Sequence, residues 1–127
     1  MGKRWITLGS VLMALAVALG ALGAHTLKSQ ISDTLLDSYK TGVLYHLIHA
    51  LALVVIGVLA NADSKINYAL PAWIMFAGIL FFSGSIYLLS TREISGLELS
   101  FLGPVTPVGG LMFMAAWIIL AIKVLKK

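Results

Sequence analysis

Four apolar stretches, each close to the roughly 20 residues a helix needs to cross about 30 Å of hydrocarbon, leave this chain little choice of fold. They run at about 5–24, 42–60, 66–89 and 107–125, and none contains an Asp or Glu. In lipid every backbone N–H and C=O must find its partner within the protein, so uncharged runs of this length are read as helices. Lys123 is the single cation inside them. It lies close enough to its helix end for the ammonium to reach the interface while the stem stays in lipid. The charge content agrees: 11% of residues are charged and 60% hydrophobic, against about 25% and 45–50% in soluble domains. Such a chain cannot cover a water-facing surface. The predicted fold is all-α, a single-domain bundle of four transmembrane helices with the lipid bilayer as its solvent and first partner.

The first stretch follows Lys3 and Arg4 and ends in Ala21-Leu22-Gly23-Ala24, a pattern shared with secretory signal peptides. A signal core is about 7–15 residues long, shorter than this run, so a retained membrane helix is expected. The remaining charges set an orientation. With both termini inside, Lys3, Arg4, Lys65, Lys123, Lys126 and Lys127 face the cytoplasm and Lys28, Lys40 and Arg92 the other side. The positive-inside rule then predicts a multi-pass cell-membrane protein with cytoplasmic N- and C-termini. The net charge of +4 reflects those flanks. It forms no basic stripe of the kind that follows a phosphate backbone, so no nucleic-acid partner is expected. The chain has no cysteine, hence neither a disulfide framework nor a thiolate site.

Two connections carry more than a turn. Leu27, Ile31, Leu35 and Tyr39 recur every four residues, with Lys28, Ser32, Asp33, Asp37 and Lys40 largely off that face. This predicts a short amphipathic interfacial helix at about 28–40, between the first and second transmembrane helices. A solvated loop with scattered apolar residues is the plainer alternative. The second connection, 90–105, contains Gly96, Gly103 and Pro104 and leads into Thr106-Pro107-Val108-Gly109-Gly110. Thr106 at the N-cap and Pro107 at the first helical position form a helix start signal. The two glycines that follow could open the first turn. No internal repeat organises the chain.

Topology draws the unusual polar residues toward the outer half of the bundle: His25, Tyr45, His46, His49, Ser83, Ser85, Tyr87 and Thr106. They form a candidate binding cluster, whereas the inner half is almost uniformly aliphatic. The bland account is that neutral histidines, tyrosines and hydroxyls hydrogen-bond across helices and hold the bundle together. Metal binding is not expected. His46 and His49 have two residues between them, where single-segment zinc pairs have about three to five, and the spans offer no Cys, Asp or Glu to complete a shell. Haem held by His25 and a second histidine is disfavoured by their positions at a helix end and inside another helix. No cofactor is expected. Catalysis would need Ser83 or Ser85 beside a histidine base. Motifs for phosphate cradling, a nucleophile elbow or a zinc protease are absent. Without a buried carboxylate the chain does not read as a proton-coupled exporter. The small residues Ser83-Gly84-Ser85, Gly20 and Ala24 are read as close-packing positions.

Four ordered motifs resemble a known family. They are Gly20-Ala21-Leu22-Gly23-Ala24-His25-Thr26-Leu27-Lys28, Thr41-Gly42-Val43-Leu44-Tyr45-His46-Leu47-Ile48-His49, Phe81-Phe82-Ser83-Gly84-Ser85-Ile86-Tyr87 and Gly103-Pro104-Val105-Thr106-Pro107-Val108-Gly109-Gly110. In this order and spacing the chain resembles the bacterial membrane family called domain of unknown function 423, and is similar to the eukaryotic transmembrane protein 256 group. The resemblance covers nearly the whole chain. It implies a four-helix membrane protein and carries no reaction with it. It also favours His25, Tyr45 and His49 over His46 as shared residues, since the resemblance implies that the His46 position is often another polar residue.

The function expected is therefore that of a non-enzymatic structural or accessory membrane protein, packing with itself as a homo-oligomer or with a membrane-protein partner. The alternative is a transporter, channel subunit or lipid or small-molecule binding protein that uses the outer polar cluster. A pore through one protomer would need polar residues along its whole length, and the aliphatic inner half disfavours it.

Overall fold

The computed structural model describes residues 1–126; Lys127, one of the basic residues assigned to the cytoplasmic side, lies outside them. Four helices are long and apolar enough to cross a membrane: α1 (Gly2–His25), α2 (Asp33–Ala62), α3 (Ala69–Ser90) and α4 (Val105–Leu125). Short 3₁₀ turns at Leu27–Ser29 and Ser100–Leu102 and one helical turn at Arg92–Ser95 complete the chain. No strand occurs among the described residues. One end of the bundle carries Met1, the α2–α3 connection and the end of α4; we call it the terminal end. The opposite, loop end carries the two longer connections.

The segment expected at about 28–40 as a separate interfacial helix is divided. Residues 27–29 form the 3₁₀ turn, and everything from Asp33 onward belongs to α2, a 30-residue helix about 45 Å long at 1.5 Å per residue. The start is set by Ser32, which is extended (φ −63°, ψ 156°) and whose hydroxyl accepts from the Leu35 N–H at 3.4 Å. From there to the apolar span no proline interrupts the helix, so it continues. The four-residue apolar period does mark what is buried: Leu27, Ile31, Leu35 and Tyr39 form a small core with Leu36 and Val43 over the loop end of α1.

A second boundary moves at α4. The helix begins at Val105 with Pro104 at the cap, so Thr106 is inside the first turn rather than capping it. Pro107 still falls where its missing N–H has no helical partner to lose. Gly109 and Gly110 do not open the helix, which runs unbroken to Leu125.

α1 packs along α2, α2 against α3, and α3 against α4. The first and last spans are accordingly peripheral: 22% and 17% of their most apolar windows are buried, against 44% and 39% for the two central ones. The α1–α2 contact follows a seven-residue spacing. Gly2, Gly9, Ala16 and Gly23 on α1 are all buried, as are Leu36, Val43, Ala50 and Gly57 on α2. Seven-residue spacing keeps one face turned toward an antiparallel neighbour along the whole length. The small residues bring the backbones together. A Cβ at Gly9 would sit 2.7 Å from the Ala50 carbonyl oxygen, and one at Gly57 2.7 Å from the Gly2 carbonyl oxygen. By contrast Gly20 is half-buried and Ala24 exposed, so the close-packing line runs beside that pair.

α3 changes its winding midway: Ile79–Gly84 is a π-helical segment between two α-helical parts. There α4 comes closest, and a Cβ at Gly109 would fall on the Phe82 backbone. Such widened turns alter which residues a helix presents to its neighbours.

Candidate functional site

His46 and His49 project from the middle of α2. Because that helix begins at Asp33, His49 lies about 24 Å along it at 1.5 Å per residue. Both imidazoles are buried, at 2% and 4% exposure. An imidazole this far from water needs partners for its ring nitrogens. His49 has them. Its Nδ1 is 2.7 Å from the Tyr45 carbonyl oxygen, which can only accept, so Nδ1 carries the proton. The Trp117 indole N–H donates to Nε2 at 3.1 Å, so Nε2 offers its lone pair. The two bonds define one neutral tautomer. The ring also stacks on Phe113, centroids 3.5 Å apart and planes 9° from parallel.

His46 turns toward the loop end and pairs through Nδ1 with the Tyr87 hydroxyl at 2.8 Å. Its Nε2 is buried and has no hydrogen-bond partner among the described residues. Tyr87 in turn lies against Tyr39, with ring centroids 5.3 Å apart. The Tyr39 hydroxyl donates to the Leu19 carbonyl at 2.6 Å. Its ring occupies the space that a Cβ at Gly23 would need. A chain of polar contacts thus runs from α3 through α2 onto α1.

The π segment directs two serines to different neighbours. Ser83, with no exposed surface, donates to the Gly42 carbonyl on α2 at 2.7 Å. Ser85 lies 2.6 Å from the Thr106 hydroxyl on α4 and donates to the Phe82 carbonyl at 2.9 Å. With one hydroxyl proton to give, Ser85 satisfies the carbonyl and accepts from Thr106.

The sequence-derived candidates therefore separate into three small groups. His46 joins Tyr87, Ser85 joins Thr106, and Tyr45 and His49 join residues from α3 and α4. Tyr45 is half-exposed and packs its ring on Phe82, centroids 4.7 Å apart. His25 is exposed at the end of α1 and makes no contact with the other candidates. Neither Ser83 nor Ser85 is hydrogen-bonded to a histidine, and among the described residues no three His, Cys, Asp or Glu side chains gather. Sequence reasoning passed over Trp117 and Phe113, the two residues that hold His49. The available signal was depth: an indole N–H in mid-span needs an acceptor at its own level, and His49 is the polar side chain there.

Beside His49 the surface opens into a groove of about 770 Å³ between α2 and α4, lined by Tyr45, Phe82, Pro107, Phe113 and Trp117 among others. Its walls are aromatic and aliphatic, and the histidine's nitrogens are already engaged.

Residues 19–110 match the family described as protein of unknown function (DUF423). The chain is 46% identical to the UPF0382 membrane protein YwdK of Bacillus subtilis, with 98% of each chain covered. It is 42% identical to a UPF0382 membrane protein of Staphylococcus aureus, covering 98% of this chain and 97% of that one. A Staphylococcus haemolyticus relative of the same description is 39% identical over the same shares. No solved structure matches. The chain belongs to the DUF423 family, and with four membrane-length apolar helices it is an integral membrane protein.

Proposed function

We propose that this DUF423 member is a non-enzymatic structural or accessory protein of the cell membrane, whose mid-bundle polar residues fasten its own helices together. The observation that carries this reading is His49, both of whose ring nitrogens are taken by Tyr45 and Trp117. A ligand could reach either nitrogen only by displacing a protein group. Ser83, Ser85, Thr106 and Tyr39 are likewise committed to bonds between helices. Interhelical bonds of this kind contribute about 0.6 kcal/mol each on average in lipid, and several together hold a register. The weakly buried outer faces of α1 and α4 are where lipid, a second copy or a membrane-protein partner would pack.

Orientation follows from charge. The terminal end carries Lys3, Arg4, Lys65, Lys123 and Lys126 together with Asp63, and the loop end Lys28, Lys40 and Arg92 together with Asp33, Asp37, Glu93 and Glu98. Positive-inside then puts the terminal end in the cytoplasm.

A second reading rests on the groove beside His49, whose apolar walls suit a lipid chain or a small apolar molecule. Native mass spectrometry of the protein in mild detergent, before and after His49→Ala, separates the two. The structural reading expects neither form to retain a stoichiometric ligand. A molecule carried by the native protein and lost in the variant would replace it with the binding reading.

A further inference from the structure

At the terminal end, a second groove of about 710 Å³ is lined by Lys65 and Asn67 from the α2–α3 connection and by Lys123 and Lys126 from the end of α4. Ile66, Ile119 and Ile122 form its remaining wall. Three lysines from two separate parts of the chain thus line one concavity. No carboxylate lines it among the described residues. The nearest acid in sequence, Asp63, accepts the Lys65 backbone N–H at 3.0 Å and so braces the turn that presents Lys65. Asn67 closes a turn just before α3, its side-chain oxygen accepting from the Ala69 N–H at 2.9 Å. Gathering like charges is unfavourable unless an anion sits among them.

The position of the groove names the anion. It lies where α4 leaves the apolar span, so its isoleucine wall meets acyl chains while its lysines stand at headgroup level. That combination of basic rim and apolar wall at a helix end suits a phosphate-bearing lipid. We propose that this groove binds the headgroup of an anionic phospholipid, with the phosphate among Lys65, Lys123 and Lys126 and an acyl chain along Ile119 and Ile122. A structural membrane protein would thereby hold its lipid surroundings at one defined point. The proposal does not depend on the role assigned to His49.

The test uses the full chain in mild detergent, with phosphatidylglycerol and phosphatidylcholine of matched acyl chains as probes, read by native mass spectrometry. Preferential retention of phosphatidylglycerol is expected. Each of Lys65→Gln, Lys123→Gln and Lys126→Gln should weaken it by about fivefold, the scale for one cation near an anionic bilayer surface. Lys3→Gln, on a different face near the same end, should leave it unchanged. The preference of the native protein should also fall as salt is raised, a readout independent of whether a variant folds. Equal retention of the two lipids, no response to salt, or a Lys3→Gln effect as large as the others would overturn the proposal. Full displacement by millimolar inorganic phosphate would also overturn it, by making the groove a site for a free anion.

Discussion

Along α1 and α2, backbone meets backbone: Gly9 lies on Ala50 and Gly57 on Gly2. On the other flank of α2, side chains span the gap, with Ser83 reaching Gly42, and Trp117 reaching His49. Both are answers to one problem. Lipid tails are as apolar as leucine, so helices gain little by hiding apolar surface from them. What remains is dispersion at short range, which small residues permit, or hydrogen bonds, which mid-span polar groups supply. The two flanks differ in what they tolerate. A seam of glycines has no room for an added carbon, whereas a bridge of side chains can lose one member and keep its packing. The boundary is not absolute, since Tyr39 fastens α1 from the α2 side and Gly109 brings α4 onto Phe82.

Breaking the glycine seam should have the largest effect. Gly9→Leu must push α1 away from Ala50 and Val54, and a loss of about 3 kcal/mol or more is expected, at the upper end of overpacking costs. Unfolding in mixed micelles would measure it, and a loss below that of the hydrogen-bond variants would erase the contrast. Next comes His49→Leu, which removes two hydrogen bonds and the stack on Phe113 and leaves the Trp117 N–H unpaired. About 2 kcal/mol is expected from those losses together. Trp73→Leu is the control. Its ring is 58% exposed within the bundle and touches Trp5 edge-on, so a smaller change is expected by the same assay.

Tyr39→Phe keeps the ring against Gly23 and deletes the bond to Leu19, so about 1 kcal/mol should be lost. If the loss instead matched Gly9→Leu, the seam would depend on that bond more than on its glycines. The smallest effect is expected of Ser85→Ala. Thr106 can rotate its hydroxyl to another acceptor, leaving about 0.6 kcal/mol at most, the average for such bonds in lipid. Thermal unfolding of the variant beside the native protein would show a shift near the limit of detection.

Much of this was legible in the residues. Apolar runs of membrane length, free of Asp and Glu, located all four spans, because nothing else can be done with them in water. Helix ends were less legible. Asp33, Asp37 and Lys40 mark where α2 leaves the apolar layer, yet a helix need not stop at that point, and Ser32 is the residue that starts it. Thr106 and Pro107 looked like a start signal, but Pro104 opens the helix and Thr106 spends its hydroxyl on Ser85. The α1–α2 seam was missed because small residues were sought four apart, at Gly20 and Ala24, whereas packing selected the seven-residue set. Within the candidate cluster, sequence topology grouped residues by depth alone. Which of them touch depends on helix rotation, and the π turn in α3 shifts that rotation in a way the period does not announce.

The central claim is that mid-bundle polar groups act on one another. A double-mutant cycle on His49→Ala and Trp117→Phe, read by equilibrium unfolding in mixed micelles, tests it most directly. Trp117→Phe keeps an aromatic ring and removes only the donor. The account predicts a coupling of about 0.6 kcal/mol, the average for hydrogen bonds between membrane helices, and at most about 1.7 kcal/mol. Strict additivity of the two losses would contradict it, leaving His49 without the partner that commits it to the bundle.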